Sequence, residues 1–224
     1  QVSATRPIAI VHVSGHLMVL NSAALAELAI DETTPDPEGG HIVRDLSSPD
    51  KRRPNGILEE TATHDARQKT LDLSAGDVWK MTQLASAEYL EYGVTTASSG
   101  GMPKALASLL GPMSEYNQIP LRVALFPWFD EVGAQLINGE VGLAEFEGGR
   151  VVVPRVKIIA DGSIQGFTGY LSQPYHHAYK GDEEYRGYPA VLREVLFEQV
   201  EGLYKQRVQV AIHGNGDASI EDAL

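Results

Sequence analysis

The sequence predicts an α/β protein whose strands lie parallel and are joined by helical crossovers. Two observations lead there. From Gly93 onward, short runs rich in Val, Ile and Ala ("GVTTASSG", "LRVALFPWF", "RVKIIADGS", "VQVAIHGNGD") alternate with helical patterns ("PKALASLLGPMSEYN", "PAVLREVLFEQVEGLYKQR"). The run through Val156, Ile158, Ile159 and Ala160 is almost continuously apolar, which predicts a strand buried on both faces. A doubly wound sheet and a (β/α) barrel both satisfy this pattern.

Taken in order, "RPIAIVHVSGHLMVLNSAALAELAI" predicts a strand over residues 8–13, a Ser-Gly turn and an Ala/Leu-rich helix capped by Asn21 or Ser22. Residues 31–56 are rich in Pro, Gly, Asp and Ser and read as an excursion with at most a short β-pair around residues 41–46. Ordered chain resumes at "GILEETATHDAR", where Glu59 and Glu60 read as a solvated helix start. "LSAGDVWKMTQLASAEYLEYG" predicts a helix. Ser74 and Asp77 form its capping box, Val78, Met81, Leu84 and Ala85 its apolar stripe, and Gly93 its end. The expected organisation is an insertion segment over 1–73 and a β/α region over 74–224. The chain stops one or two turns into the pattern "ASIEDAL", as an internal piece of a longer protein would.

Composition narrows the function. The 224 residues, 43% hydrophobic, suffice for one large or two small domains. Thirty acidic against 18 basic residues, a formal charge of -12, argue against nucleic-acid and anionic-membrane partners. No apolar run approaches the roughly 20 residues of a bilayer span, and no targeting segment is legible, so the cytoplasm is the default location. With no cysteine, any metal must sit on His, carboxylate or modified Lys. There is no Gly-x-Ser-x-Gly elbow, P-loop or dinucleotide fingerprint.

In either closure, ligands bind at the C-terminal ends of the strands. The polar residues there include Thr95, Thr96, Ser98, Trp128, Asp130, Lys157, Asp161, His213, Asn215 and Asp217. Lys157, in an apolar strand, asks for a reason. A desolvated amine loses its proton readily and becomes a nucleophile, either for a Schiff base or for carbon dioxide, which gives a carbamate able to bridge metals. Alternatively it snorkels and pairs with Asp161. His213 ends a strand before "GNGD" and is a metal ligand, an acid-base group or a hydrogen-bonded turn residue, with Asp217 capping the next helix. His12 and His16 flank a Ser-Gly turn, which makes a helical metal pair doubtful and favours substrate-binding or structural roles. His64, His176 and His177 show no partner spacing.

Five phrases in order, "RPIAIVHVSGHLMVLNSAAL", "GILEETA", "GVTTASSGG", "VKIIADGSIQGFTGYLSQPY" and "VAIHGNGD", resemble amidohydrolase family 3, across essentially the whole chain. The resemblance implies part of a (β/α)8 TIM-type barrel, about strands 2 to 5, with an N-terminal β/α insertion. It also implies a metal-dependent hydrolase acting on a C–N bond of an amide, formamide or cyclic amide, with one or two divalent metals, zinc first. On this pattern Lys157, as a carbamate, matches the fourth-strand ligand and His213 the fifth-strand ligand. His12, His16, Asn21, Asp161 and Trp128 are then the expected contacts to a small-molecule substrate. The family's His-x-His, later His and final Asp have no counterparts here, so the piece alone is expected to be inactive. Its open strand edges invite homo-oligomerisation. The alternatives are a non-catalytic regulatory or binding member of the same fold, and a Schiff-base lyase using Lys157.

Overall fold

The structure, a computed structural model, describes residues 3–49, 51–70 and 73–224. Residues 71–72, at the expected boundary between insertion and barrel, lie outside the described residues. The fold is mixed α/β and divides into two units: Gln1–Asp72 with Ile159–Arg193 and Gly214–Leu224, and Leu73–Ile158 with Glu194–His213.

In the first unit, β1 (Ala9–Val11) and β2 (Leu17–Leu20) form an antiparallel hairpin. β2 pairs with β4 (Pro54–Glu60), and β4 with β3 (Gly40–Arg44), giving a four-stranded antiparallel sheet in the order β1-β2-β4-β3. This corrects the expected strand-turn-helix: Leu17–Leu20 returns as a strand because Met18 and Leu20 point inward while Val19 points out, a period of two. The supposed excursion likewise supplies β3 and the start of β4. Helix α1 (Ser22–Glu27) is short and begins at Asn21, whose Oδ1 accepts from the Ala24 amide at 2.9 Å. α2 (Thr61–Thr70) follows β4 directly. Met18, Leu20, Ala24, Leu28, Ile42, Leu58, Ala62 and Ala66 form the core of this unit.

Two further expectations fail in this unit. Glu59 and Glu60 are not a solvated helix start; they end β4 and are each 4% exposed. Asp217 is not the cap of α7 (Asp217–Ala223): Gly216 holds that position, and the Asp217 carboxylate accepts instead from the amide and hydroxyl of Ser172.

The second unit opens with α3 (Ala75–Glu91), started by the expected capping box: Ser74 Oγ accepts from the Asp77 amide and the Asp77 carboxylate from the Ser74 amide. Its expected stripe is buried only at Val78; Met81 (55%) and Leu84 (63%) are exposed. β5 (Thr96–Ser98), β6 (Arg122–Ala124) and β7 (Val151–Val152) form a parallel sheet, with α4 (Lys104–Glu115) between β5 and β6. The stretch left undefined by sequence holds α5 (Phe129–Ile137), which buries Val132, Gly133 and Leu136 on one face. β8 (Val156–Ile159) and β9 (Val210–His213) form a two-stranded sheet, with α6 (Arg193–Lys205) between them in sequence.

Among the described residues these strands form three separate sheets and do not close a barrel. β8 is also not buried on both faces: Val156 and Ile158 are buried while Lys157 and Ile159 lie on a half-covered face, and no residue of β9 is fully buried. Among the described residues, no helix is long and apolar enough to cross a membrane.

Candidate functional site

In the second unit the chain gathers three sequence-predicted residues around β8. Lys157 donates its amide to the Pro127 carbonyl at 2.9 Å and pairs in parallel with Trp128, the residue that starts α5. Gly101 lies against both: a methyl group there would sit 2.5 Å from Trp128 Nε1 and 3.6 Å from Lys157 Cγ. Only glycine leaves room for the indole beside the lysine stem. β9 joins β8 through the Val156 amide and the Gln209 carbonyl, 2.9 Å apart, so Lys157 and His213 stand on neighbouring strands.

Burial lowers the pKa of the Lys157 amine, because desolvation disfavours its charged form. No ion pair or side-chain hydrogen bond to Lys157 is present among the described residues. The amine is therefore partly withdrawn from water without a counter-charge, the condition that favours the nucleophilic neutral form. His213 is half-buried at the end of its strand. Among the described residues no group of three or more His, Asp or Glu gathers as a metal would require. Lys157 and His213 can supply two donors, a carbamate oxygen and an imidazole nitrogen.

Asp161 belongs to the first unit and is 0% exposed. Its Oδ1 accepts from the Asn215 amide at 2.9 Å, and its Oδ2 from the Tyr170 amide at 2.9 Å and the Gly216 amide at 2.7 Å. Asn215 returns a bond from Nδ2 to the Gly162 carbonyl at 2.8 Å. Three backbone amides thus satisfy the acceptors of this buried carboxylate. Asp161 thus buckles three loops together, including the residues that directly follow His213 in the chain.

The other predicted residues lie in the first unit. Asn21 spends its amide on its own chain: Oδ1 accepts from Ile8 as well as Ala24, and Nδ2 donates to the Ser3 and Arg6 carbonyls. His12 is exposed, with Nδ1 2.8 Å from Ser14 Oγ. His16 is held by Glu60, whose Oε2 lies 2.7 Å from Nδ1, while the Glu60 amide donates to the His16 carbonyl at 2.8 Å. Glu60 also sits in the left-handed region, at φ 52°. Sequence reading took Glu60 for a solvated helix start and passed over Gly101. The available signals were two acids directly after an apolar run in "GILEE" and the doubled glycine before Met102.

Comparison with known proteins gives consistent matches. The sequence model of the amidohydrolase family matches residues 1–224. YtcJ of Bacillus subtilis (strain 168) is 27% identical over 236 residues, covering 98% of this chain and 40% of that protein. The N-substituted formamide deformylase of Arthrobacter pascens is 23% identical over 230 residues, covering 100% of this chain and 41% of that protein. In structure, the chain is similar to a metal-dependent hydrolase of Pyrococcus horikoshii OT3 with a TM-score of 0.68 at 24% identity, over 97% of this chain and 41% of that one. The chain thus spans about two fifths of the length of these relatives.

Proposed function

This chain belongs to the amidohydrolase family, and from that premise we propose that it is part of a metal-dependent hydrolase that cleaves a C–N bond of an amide, formamide or cyclic amide. The observation that carries the reading is the Lys157 amine: desolvated, without an ion-pair partner among the described residues, and on the strand next to His213. The deformylase and metal-dependent hydrolase named above support the reaction class. Membership of the family supports placing these sheets in a (β/α)8 barrel, about strands 2 to 5.

Each residue then has a defined task. Neutral Lys157 Nζ attacks the carbon of carbon dioxide, forming an N–C bond as one C=O π bond opens, and releases one N–H proton to water; the product is a carbamate whose single negative charge is shared by two oxygens. His213 offers a neutral imidazole nitrogen, the common donor for zinc. A divalent metal held there would lower the pKa of its bound water and polarise a scissile carbonyl. Two donors fit the chemistry but do not complete a coordination sphere, so the remaining ligands are assigned to sequence beyond these 224 residues, as the greater length of the relatives allows. Trp128, pinned by Gly101, gives an apolar wall beside the lysine. Asp161 holds Asn215 and Gly216, which set the turn leaving His213.

Metal content tests this. The chain, prepared with zinc and bicarbonate, retains metal that is lost in both Lys157→Ala and His213→Ala; metal that survives both substitutions refutes the assignment. The same desolvated amine favours one second reading, Schiff-base chemistry. Borohydride trapping with an aldehyde would then leave added mass on Lys157, and an unmodified Lys157 ends it.

A further inference from the structure

The first unit holds a second polar site, built around Glu59, that the metal reading does not use. We propose that it binds an organic ammonium group and that Lys180 is its resting occupant.

The Glu59 carboxylate, 4% exposed, accepts the Tyr179 hydroxyl on Oε1 at 3.1 Å and the Tyr188 hydroxyl on Oε2 at 3.5 Å. Phe167 stacks on Tyr179 with centroids 5.1 Å apart, and Tyr179 packs on Tyr185 at 4.7 Å. Lys180 Nζ stands 4.6 Å from the Tyr179 ring centroid and 3.9 Å from Glu59 Oε1. An ammonium between an aromatic face and a buried carboxylate is how proteins recognise amines. Yet 3.9 Å exceeds the roughly 2.7–2.9 Å of a close ammonium–carboxylate bond, so Lys180 seats loosely, and a free ammonium can approach more closely.

The backbone keeps Lys180 there at a cost. Tyr179 and Asp182 bridge antiparallel across a two-residue turn in which Lys180 (φ 53°) and Gly181 (φ 84°) are both left-handed. Such turns favour Asn, Asp or Gly at the first position; lysine there is strained.

An independent observation comes from the next residue. Glu60 is also 4% exposed, and its Oε1 is buried with no hydrogen-bond partner among the described residues. His16 lies 2.7 Å from Glu60 Oε2 and half-exposed Lys180 3.9 Å from Glu59 Oε1, and burying two carboxylates side by side is costly unless they are closely paired. Burial, then Glu59, then Glu60 raise the pKa of the Tyr188 hydroxyl, so both glutamates border this aromatic cluster. The stacked rings of Phe167, Tyr179 and Tyr185 beside the carboxylate suit an organic cation, whose charge meets an aromatic face and whose carbon atoms the rings can cover.

The test uses the 224-residue chain and n-butylammonium as the probe, followed by tyrosine emission and calorimetry. Lys180→Ala is expected to bind the probe at least tenfold more tightly than the parent chain, Glu59→Gln in that background to abolish the gain, and n-butanol not to bind. If circular dichroism shows that Glu59→Gln fails to fold, Tyr179→Leu, which removes the aromatic face, replaces it with the same expected loss. Lys180→Ala binding no more tightly than the parent, binding that survives the Glu59 or Tyr179 change, or equal binding of n-butanol would each overturn the proposal. None of these readouts depends on Lys157, so the metal reading stands or falls separately.

Discussion

Replacing Asp161 by alanine removes one carboxylate and strands three backbone amides, those of Tyr170, Asn215 and Gly216, now held at 2.9, 2.9 and 2.7 Å. A buried donor left unsatisfied costs about 1–3 kcal/mol. Asn215 is exposed, so water can reach its amide, whereas Gly216 is buried. Two costly amides and one cheap one give a loss of about 3–4 kcal/mol. Asp161→Asn keeps one acceptor oxygen but turns an NH2 group toward amides that need an acceptor, for a loss of about 2 kcal/mol. Hydrogen exchange reads this locally: at 1.4 kcal/mol per factor of ten, the alanine variant should speed exchange at Gly216 by about 100- to 1,000-fold, with the asparagine variant between it and the parent. Unchanged exchange at Tyr170, Asn215 and Gly216, or equal effects of Asn and Ala, would refute the view that this carboxylate organises the loops.

Further outcomes follow from other contacts. Gly101→Ala sets a methyl group 2.5 Å from Trp128 Nε1; it should cost about 1–3 kcal/mol by overpacking and shift Trp128 emission, measured in a Trp79→Phe background. Ser74→Ala removes the cap of α3 and should cost about 1 kcal/mol in urea unfolding, with faster exchange at the Asp77 amide. The hydrogen bonds of Ser172 hold the Asp217 carboxylate below its usual pKa. Its stabilisation is therefore present above the unfolded value of about 3.9 and is lost as pH falls through the folded one. Acid titration followed by exchange at the Ser172 amide should show this tether releasing below about pH 4, an effect absent in Asp217→Asn.

What could be read from the sequence was whatever local chemistry decides alone. The Ser74–Asp77 box, the Asn21 cap and the alternation of β5, α4, β6, α6 and β9 all come from short-range signals, and all appear. The hairpin of β1 and β2 was missed because its return strand, "LMVL", is too short to show alternation and runs straight into a good helix sequence. The environment of Glu59 depends on chain more than a hundred residues away, Tyr179 and Tyr188, which no local pattern reports. Met81 and Leu84 keep the spacing of a core stripe, but both are exposed. At the candidate site, Lys157 stood out as a charge in an apolar strand, whereas the role of Asp161 arises only when its loop meets Asn215 and Gly216.

Carbon-13 NMR of the chain in labelled bicarbonate tests most directly whether Lys157 forms a carbamate. A carbamate resonance should grow with pH, as the lowered pKa of the amine requires, and should vanish in Lys157→Ala while persisting in His213→Ala at high bicarbonate. A spectrum with no such resonance, or one unchanged by Lys157→Ala, would contradict it.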